Sequence, residues 1–563
     1  MKIRLDCLIF AFLTFICCRL SSDDLISPLL QVNTNSKNAG IFMRFMPTGI
    51  AYLREIGMKT VNNEILRIKL PLVTERVDAG QVTIYNAYVS KYWSPPEYNL
   101  ELAPPDMFTW SMSKMHIRAA GDFEVSAHNP LLLPTVPIRG QFETLFGHIS
   151  LAIAIRLGRS EDGAPRVRST YCQADVGYVD LNVTNTGVIT DFFINSFKAF
   201  IIANFKPVVQ ERICKMIKSV VNNNMNQILS TMPLQVHLHE NTIDIIGETF
   251  GLSEKKPLSR YGDLGARNIT LTNIIHNLRK QNLILDYRLI KDPLIAYGSI
   301  GMYIKGEISW NGYGGTPFDP PNVEIPPPHG IHMVEFFGTD YLANSMLYHA
   351  FRQKYMDLKI GPESSNRLEN LLFTSCKVGF CVGEQLGLLS EQFPDREIEI
   401  HFFARKSPIL VFVEKRARFR LYGGMDMYVR PANSSQVKIK ILKCDATLTS
   451  TMYLQIDEFR VTGNASVETL DFKLRETIIK DVTQETLNDL SLFAAEFLQN
   501  ILTEILKIGI MMPKMKGVML KNPKLSLHER YLKVQTLFKL DERFTGRILE
   551  GAVQESLKNF RSS

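Results

Sequence analysis

Apolar positions recur at helical spacing in three stretches and alternate at strand spacing between them. From Thr48 to about Leu66, the residues Ile50, Leu53, Ile56, Val61 and Ile65 fall near a 3.6-residue period, predicting an amphipathic helix that ends before Pro71. A second such stretch, Asp191 to about Leu229, puts Ile194, Phe197, Ile201, Phe205 and Val208 on one face, and Pro207 predicts a kink within it. The third, about Gln484 to Ile508, carries Leu487, Leu490, Ala494, Phe497, Ile501 and Ile505 as one stripe. Short alternating runs from Val82 to Tyr171 predict antiparallel strands, which resume over Leu283–Ser309. Further strands are expected at Glu397–Phe403, Ile409–Val413, Met425–Val429, Val437–Leu442, Thr449–Val461 and Leu525–Leu540.

This programme is written twice. A proline-rich hinge, Pro317 to Pro328, divides the chain, and each half reads helix, strands, long helix, strands. Phe42–Ala51 near the start parallels Met333–Leu342 after the hinge, pairing Phe45 with Phe336 and Thr48 with Thr339. In each, a β-like run leads to a threonine expected to N-cap the following helix. Two copies of an α+β unit, each an antiparallel sheet wrapped on a helix, follow from that order.

Composition narrows the function classes. Hydrophobic residues make up 45% and charged residues 21% of 563, the balance of an ordered chain with large cores. The net charge of +7 is spread over both halves, so no basic block argues for nucleic acid. Lys2 and Arg4 precede an apolar run from Cys7 to Cys18, too short to span a bilayer but suited to a signal peptide at 1–21. A secreted, extracellular chain is therefore expected. Beyond that signal remain Cys172, Cys214, Cys376, Cys381 and Cys444, which an oxidising compartment favours as disulfides, with one thiol left over. Asn182, Asn268, Asn433 and Asn464 open Asn-x-Ser/Thr sequons and are candidate glycosylation sites.

Several motifs occur in one order along the chain: Asn38–Ile41, Leu66–Pro71, Gly140–Glu143 with Ile155–Gly158, Cys172 and Cys214, Leu285–Leu289, Lys305–Ile308, the proline linker, and Phe337–Leu342. Each is weak alone. As a colinear set the sequence resembles the family of bactericidal permeability-increasing protein, lipopolysaccharide-binding protein and the plasma phospholipid and cholesteryl ester transfer proteins. The resemblance implies an elongated boomerang of two homologous barrel-like domains, joined by a central sheet, with an apolar lipid pocket in each. Carried onto this chain, it gives an N-terminal barrel at 38–240, central-sheet strands at 241–316, a linker at 317–329 and a C-terminal barrel at 330–524. Return strands at 525–540 and an amphipathic tail at 541–563 complete the division. The family's shared disulfide falls on Cys172 and Cys214. Cys376 and Cys381 either close a small loop or one of them reaches Cys444, the small loop being favoured.

The function this implies is lipid binding or lipid transfer without catalysis. An acyl chain entering an apolar slot gains about 0.8 kcal/mol per buried methylene, so a phospholipid or other two-chain lipid needs little polar chemistry. Candidate lining residues are Phe45, Ile50, Leu53, Phe197, Ile201 and Phe205 in the first half. Their counterparts are Phe336, Tyr341, Leu342, Phe493, Phe497 and Ile501, and filling an ordinary core is the plainer role for any one of them.

The alternative is an innate-immune binder of bacterial lipopolysaccharide. Here the matching tip hairpin, Phe123–Arg139, has one arginine, no lysine and a glutamate, so its Leu131, Leu132 and Leu133 suit an acyl layer better than phosphate. Arg156, Arg159, Arg166 and Arg168 form a nearby basic group around Glu161 and Asp162, most simply a solvated turn. In the tail, Phe544, Ile548, Val553, Leu557 and Phe560 share a helical face. It resembles the pocket-closing helix of the cholesteryl ester transfer protein and suits a lipoprotein or membrane surface. No Gly-x-Ser-x-Gly elbow, His-Glu-x-x-His pair or P-loop occurs. His237 and His239 read as alternating strand residues, and no metal or other cofactor is expected.

Overall fold

The computed structural model describes residues 38–551 except 68–71, 78–79, 128–137, 185–201, 203–205, 208, 231–233, 238–282, 365–367, 369, 378, 380, 432–436, 458–459, 509, 512–516, 545 and 548–549. Two seven-stranded antiparallel sheets flank a six-stranded one. The first runs in the order Val73–Val77, Gly80–Trp93, Met107–Ala127, Ile138–Arg159, Pro165–Asp175, with Glu97–Ala103 and Tyr178–Thr184 as side pairs. The other follows Leu358–Ile360, Ile398–Ala404, Arg416–Val429, Ile439–Asp457, Arg460–Thr477, Ile510–Met511, with Ile409–Val413 paired to Arg416–Val429. Strands of up to 22 residues replace the short runs read from sequence. Alternation lapses at bulges, as between Met112 and Ile117 and between Thr449 and Ser450, and a lapse mimics a strand end.

In the central sheet the halves meet. Its order is Leu294–Ala296, Ser299–Ile304, Ile41–Phe45, Val334–Thr339, Tyr531–Leu540, Val518–His528. Ile41–Phe45 and Val334–Thr339 thus lie in the shared sheet, although the sequence division put both with the barrels. These are the two stretches that repeat, and they pair with each other in antiparallel register. Arg44 lies opposite Glu335, and the two are 291 positions apart, the spacing of the repeat itself. The local two-fold axis therefore passes through this one pair.

Both side chains are buried, and the pair does not stand alone. Arg44 Nε donates to Glu335 Oε2 at 3.0 Å, and Nη1 donates to the Pro326 carbonyl of the linker at 2.7 Å. Lys533 and Gln535 complete the carboxylate at 2.9 and 2.8 Å. Burial opposes ionisation of Glu335, yet bonds from Lys533, Arg44 and Gln535 outweigh it and lower its pKa. Asn38 Nδ2 also donates to Pro320 O at 3.1 Å, so the linker lies along the first strand.

Three helices bear on the sites: α1 (Pro47–Glu64), α2 (209–230) and α3 (Gln484–Ile508). The expected threonine caps are absent. The N-cap of α1 is Met46 with Pro47 in its first turn, and Thr48 Oγ1 donates to the His332 carbonyl. Thr339 Oγ1 donates to the Gly40 carbonyl at 3.0 Å, and Asp340 precedes the helix Tyr341–Arg352. Each threonine thus ties its own half to the backbone of the other. Pro47 has no N–H to satisfy, which leaves Thr48 free for this task. Gly49 is needed for the same contact, because a Cβ there would stand 2.4 Å from Met333 O.

Candidate lipid-binding site

In each barrel sheet, among the described residues, one strand has an outer side without a neighbouring strand: Pro165–Asp175 in the first, and Arg460–Thr477 beyond Val461 in the second. In both barrels a helix takes that place. Along Pro165–Asp175, Asn226 of α2 accepts from Val167 N and donates to Val167 O, both at 2.8 Å. One turn earlier, Asn222 accepts from Ser169 N and donates to Ser169 Oγ, again at 2.8 Å. The amides sit four residues apart on one helix face, and a π-turn over Val220–Met225 shapes the backbone between them. Cys172 and Cys214 form a disulfide along the same seam.

In the second barrel α3 repeats the arrangement without a disulfide. Thr503 Oγ1 accepts from Ala465 N at 3.2 Å and donates to Ala465 O at 3.3 Å, while Gln499 accepts from Val467 N at 3.0 Å. Gln484 donates to Phe472 O at 2.6 Å near the start of the helix. Side chains thus stand in for a missing strand, and the open edges gain partners that would otherwise be water.

Beneath the seams lie apolar surfaces. From α2, Val209, Ile213, Ile217 and Val221 pack towards Trp110, Ile149, Leu151 and Ile153. From α3, Leu487 is fully buried, whereas Leu490, Ala494, Phe497, Leu498, Leu502 and Leu506 are only partly covered against Met452, Ala465, Leu470 and Phe472. The contacting stripe follows steps of four from Leu490 to Leu506, so it departs from the expected one beyond Phe497. Trp110 adds a polar detail: its Nε1 is buried with no hydrogen-bond partner among the described residues, and its ring lies near α1, 3.7 Å from where a Cβ on Gly57 would be.

The sequence candidates are distributed as follows. Ile50 is buried and Leu53 half-buried on α1, while Phe45 meets Phe538 edge-on at 6.3 Å in the central sheet. Phe336 is half-buried in that same sheet. Tyr341 is buried against Phe318 and Ile409 and hydrogen-bonds Thr316 at 3.0 Å, and Leu342 packs on the cluster of Ile41 and Leu285. Phe497 faces the second sheet, Ile501 is half-buried, and Phe493 is about half exposed beside Leu492. Phe197, Ile201 and Phe205 lie outside the described residues, as do Asn268, Asn433 and the Leu131–Leu133 tip. Asn182 and Asn464 are exposed on strands. Sequence reasoning missed Asn222, Asn226, Gln499 and Thr503; polar residues four apart on otherwise apolar faces were the available signal.

Of the cysteines outside the seam, Cys376 and Cys381 close a small loop, and Cys444 is a free buried thiol whose pKa burial pushes up to about 12. Among the basic group, Arg156 pairs with Asp106 at 3.4 Å, and Asp292 accepts from the Arg159 backbone at 3.0 Å. Arg166 lines an open cleft of about 330 Å³ with Ser160, Asn222 and Gln227. The described start of the tail lies beside α1, with Glu542 paired to Lys59 at 2.8 Å; Ile548, Val553, Leu557 and Phe560 lie outside the described residues. Among those residues, no helix is long and apolar enough to cross a membrane.

Tandem sheets, each tied along its edge to a long amphipathic helix and joined through a shared central sheet, define a double-barrel α+β protein. Family models place it further: residues 49–232 match the N-terminal domain of the LBP / BPI / CETP family, and residues 277–540 match its C-terminal domain. The chain belongs to this family. It is 21% identical to human lipopolysaccharide-binding protein over 88% of this chain and 92% of that one. It is 18% identical to bactericidal permeability-increasing protein of Sebastes schlegelii, over 94% of this chain and 100% of that one. A crystal structure of lipopolysaccharide binding protein superposes with a TM-score of 0.50 at 16% identity, covering 90% of this chain and 99% of that one.

Proposed function

We propose that this chain is a secreted glycoprotein that binds, and carries between surfaces, a phospholipid or other two-chain lipid, with its acyl chains beneath α2 and α3. The observation that carries the reading is the underside of α3: an apolar stripe faces a concave sheet, yet only Leu487 of that stripe is sealed. Acyl chains gain about 0.8 kcal/mol per methylene transferred to such a surface. Trp110 supports the same reading in the first barrel, because an orphaned buried N–H suits the ester carbonyl of a bound lipid. Exposed sequons at Asn182 and Asn464 and the apolar leader agree with secretion. The reading contains no covalent step. Protein purified without detergent is expected to yield phospholipid in an organic extract analysed by mass spectrometry. An extract free of lipid overturns the reading.

Lipopolysaccharide is the second reading, favoured by the names of the relatives. Capture on immobilised lipopolysaccharide that competes with phospholipid vesicles and weakens with salt would favour it. Capture that ignores salt and persists after charge reversal at Arg156 and Arg159 rejects its electrostatic form.

A further inference from the structure

In the first barrel, four aromatic rings from four strands converge beside the start of α2, where Lys206 donates to the Gly177 carbonyl at 3.2 Å. His116 comes from Met107–Ala127 and His148 from the neighbouring Ile138–Arg159, with ring centroids 5.2 Å apart and planes at 80°. Tyr178 lies 5.5 Å from His148, and Trp93 lies 6.3 Å from His116. Their numbering, 32 apart, gave no hint of this meeting.

The backbone is distorted where the imidazoles meet. The register between their two strands slips on both sides of Met115, and Lys114 and His148 adopt left-handed conformations with φ of 59° and 52°. Non-glycine residues adopt this region at a cost, and bulges re-aim side chains. Gly147 completes the cluster: a Cβ there would come within 2.1 Å of the Tyr178 ring, so the tyrosine lies directly over it.

We propose that His116 and His148 are a two-imidazole site for a borderline transition cation such as Zn²⁺. Imidazole nitrogen binds such ions at about 2.0–2.1 Å, and tetrahedral angles then bring two ring centres to about 5 Å, the separation seen here. The remaining adjustment is rotation about χ2, which is a soft, broad torsion in histidine. Neither imidazole has a hydrogen bond or ion pair with another described residue, so their lone pairs are uncommitted. Three cations nearby have partners of their own: Lys91 and Arg118 sit over the Trp93 ring at 4.7 and 5.7 Å, Arg118 also pairs with Glu143 at 3.6 Å, and Lys206 donates to the Gly177 carbonyl at 3.2 Å. Water completes the coordination at the solvent side, where His148 is exposed.

Calorimetric titration of the tag-free, full-length chain with zinc chloride tests the site. One ion should bind per chain, and His116→Ala and His148→Ala should each weaken it by more than the about tenfold typical of losing an outer-shell partner. Thermal melts identical to wild type would show that the fold is intact, and His148→Ala, on an exposed residue, is the safer variant. Lipid content should not change in either variant, which separates this site from the acyl-chain reading. Wild-type protein that takes up no zinc at large molar excess overturns the proposal. So does zinc uptake that survives both substitutions combined.

Discussion

The two barrels solve one problem, the free edge of a sheet, with different chemistry. In the first, Cys172–Cys214 and two asparagines fasten α2 to its edge strand. In the second, Gln484, Gln499 and Thr503 fasten α3, with no covalent link. That barrel instead carries an ionic ladder on its sheet: Glu399 accepts from Lys438 at 2.6 Å and from Arg430 at 2.9 Å, and Asp426 accepts from Lys440 at 2.7 Å. The difference teaches that the helix-on-edge geometry, rather than any one bond type, is what the duplicated unit preserves. It also makes the second seam the more readily parted one, since side-chain hydrogen bonds exchange with water while a disulfide does not.

The largest test removes the covalent link. Cys172→Ser with Cys214→Ser opens a loop with a sequence separation of 42 residues, which is expected to cost roughly 3–4 kcal/mol. Denaturant unfolding should show an earlier transition for the first barrel only. A common shift of both transitions would mean that the barrels do not unfold as separate units.

A smaller effect compares the amide with the hydroxyl. Asn226→Ala strands both the N–H and the C=O of Val167 and should cost about 2 kcal/mol, against about 1 kcal/mol for Thr503→Val, whose bonds are longer. Equal losses would remove the asymmetry between seams. Proteolysis rates at the edge strands provide an independent check.

The smallest effect is a pH dependence confined to the second barrel. Burial opposes ionisation of Glu399, but hydrogen bonds from Lys438, His401 and Arg430 prevail and hold its pKa at about 2, below the ordinary 4.5 of a glutamate. A depressed carboxylate contributes stability above its unfolded pKa and loses it as pH falls towards its folded value. The wild-type melting temperature should therefore fall between about pH 4.5 and pH 2 more steeply than that of Glu399→Gln. Parallel pH profiles would remove Glu399 from the comparison.

Periodicity placed α3 at about Gln484 to Ile508, where the structure has it, because a 25-residue amphipathic pattern with polar flanks leaves little else to form. The duplication was legible too, and the resemblance supplied Cys172–Cys214. What stayed hidden depends on pairing across the fold. Thr48 and Thr339 carried a local capping signal, but the chain just before the other half's central strand offered each a carbonyl, and tertiary contact overrode the local rule. Asn222 and Asn226 went unread because nothing in the sequence marks Pro165–Asp175 as an unpaired edge. Among the candidate lining residues, Tyr341 and Phe336 were named as second-half counterparts of the first, and neither the repeat nor apolarity tells a central-sheet neighbour from a barrel wall.

Arg44 and Glu335 carry a further implication. Sited on the two-fold, each occupies the position the other would hold if the halves were identical. A pair of first halves would press guanidinium on guanidinium there, and a pair of second halves would oppose two carboxylates. The first half cannot make a tolerable partner of itself, because Glu335, Lys533 and Gln535 all belong to the second, so first halves of a chain severed at its prolines should seek the mixed pair.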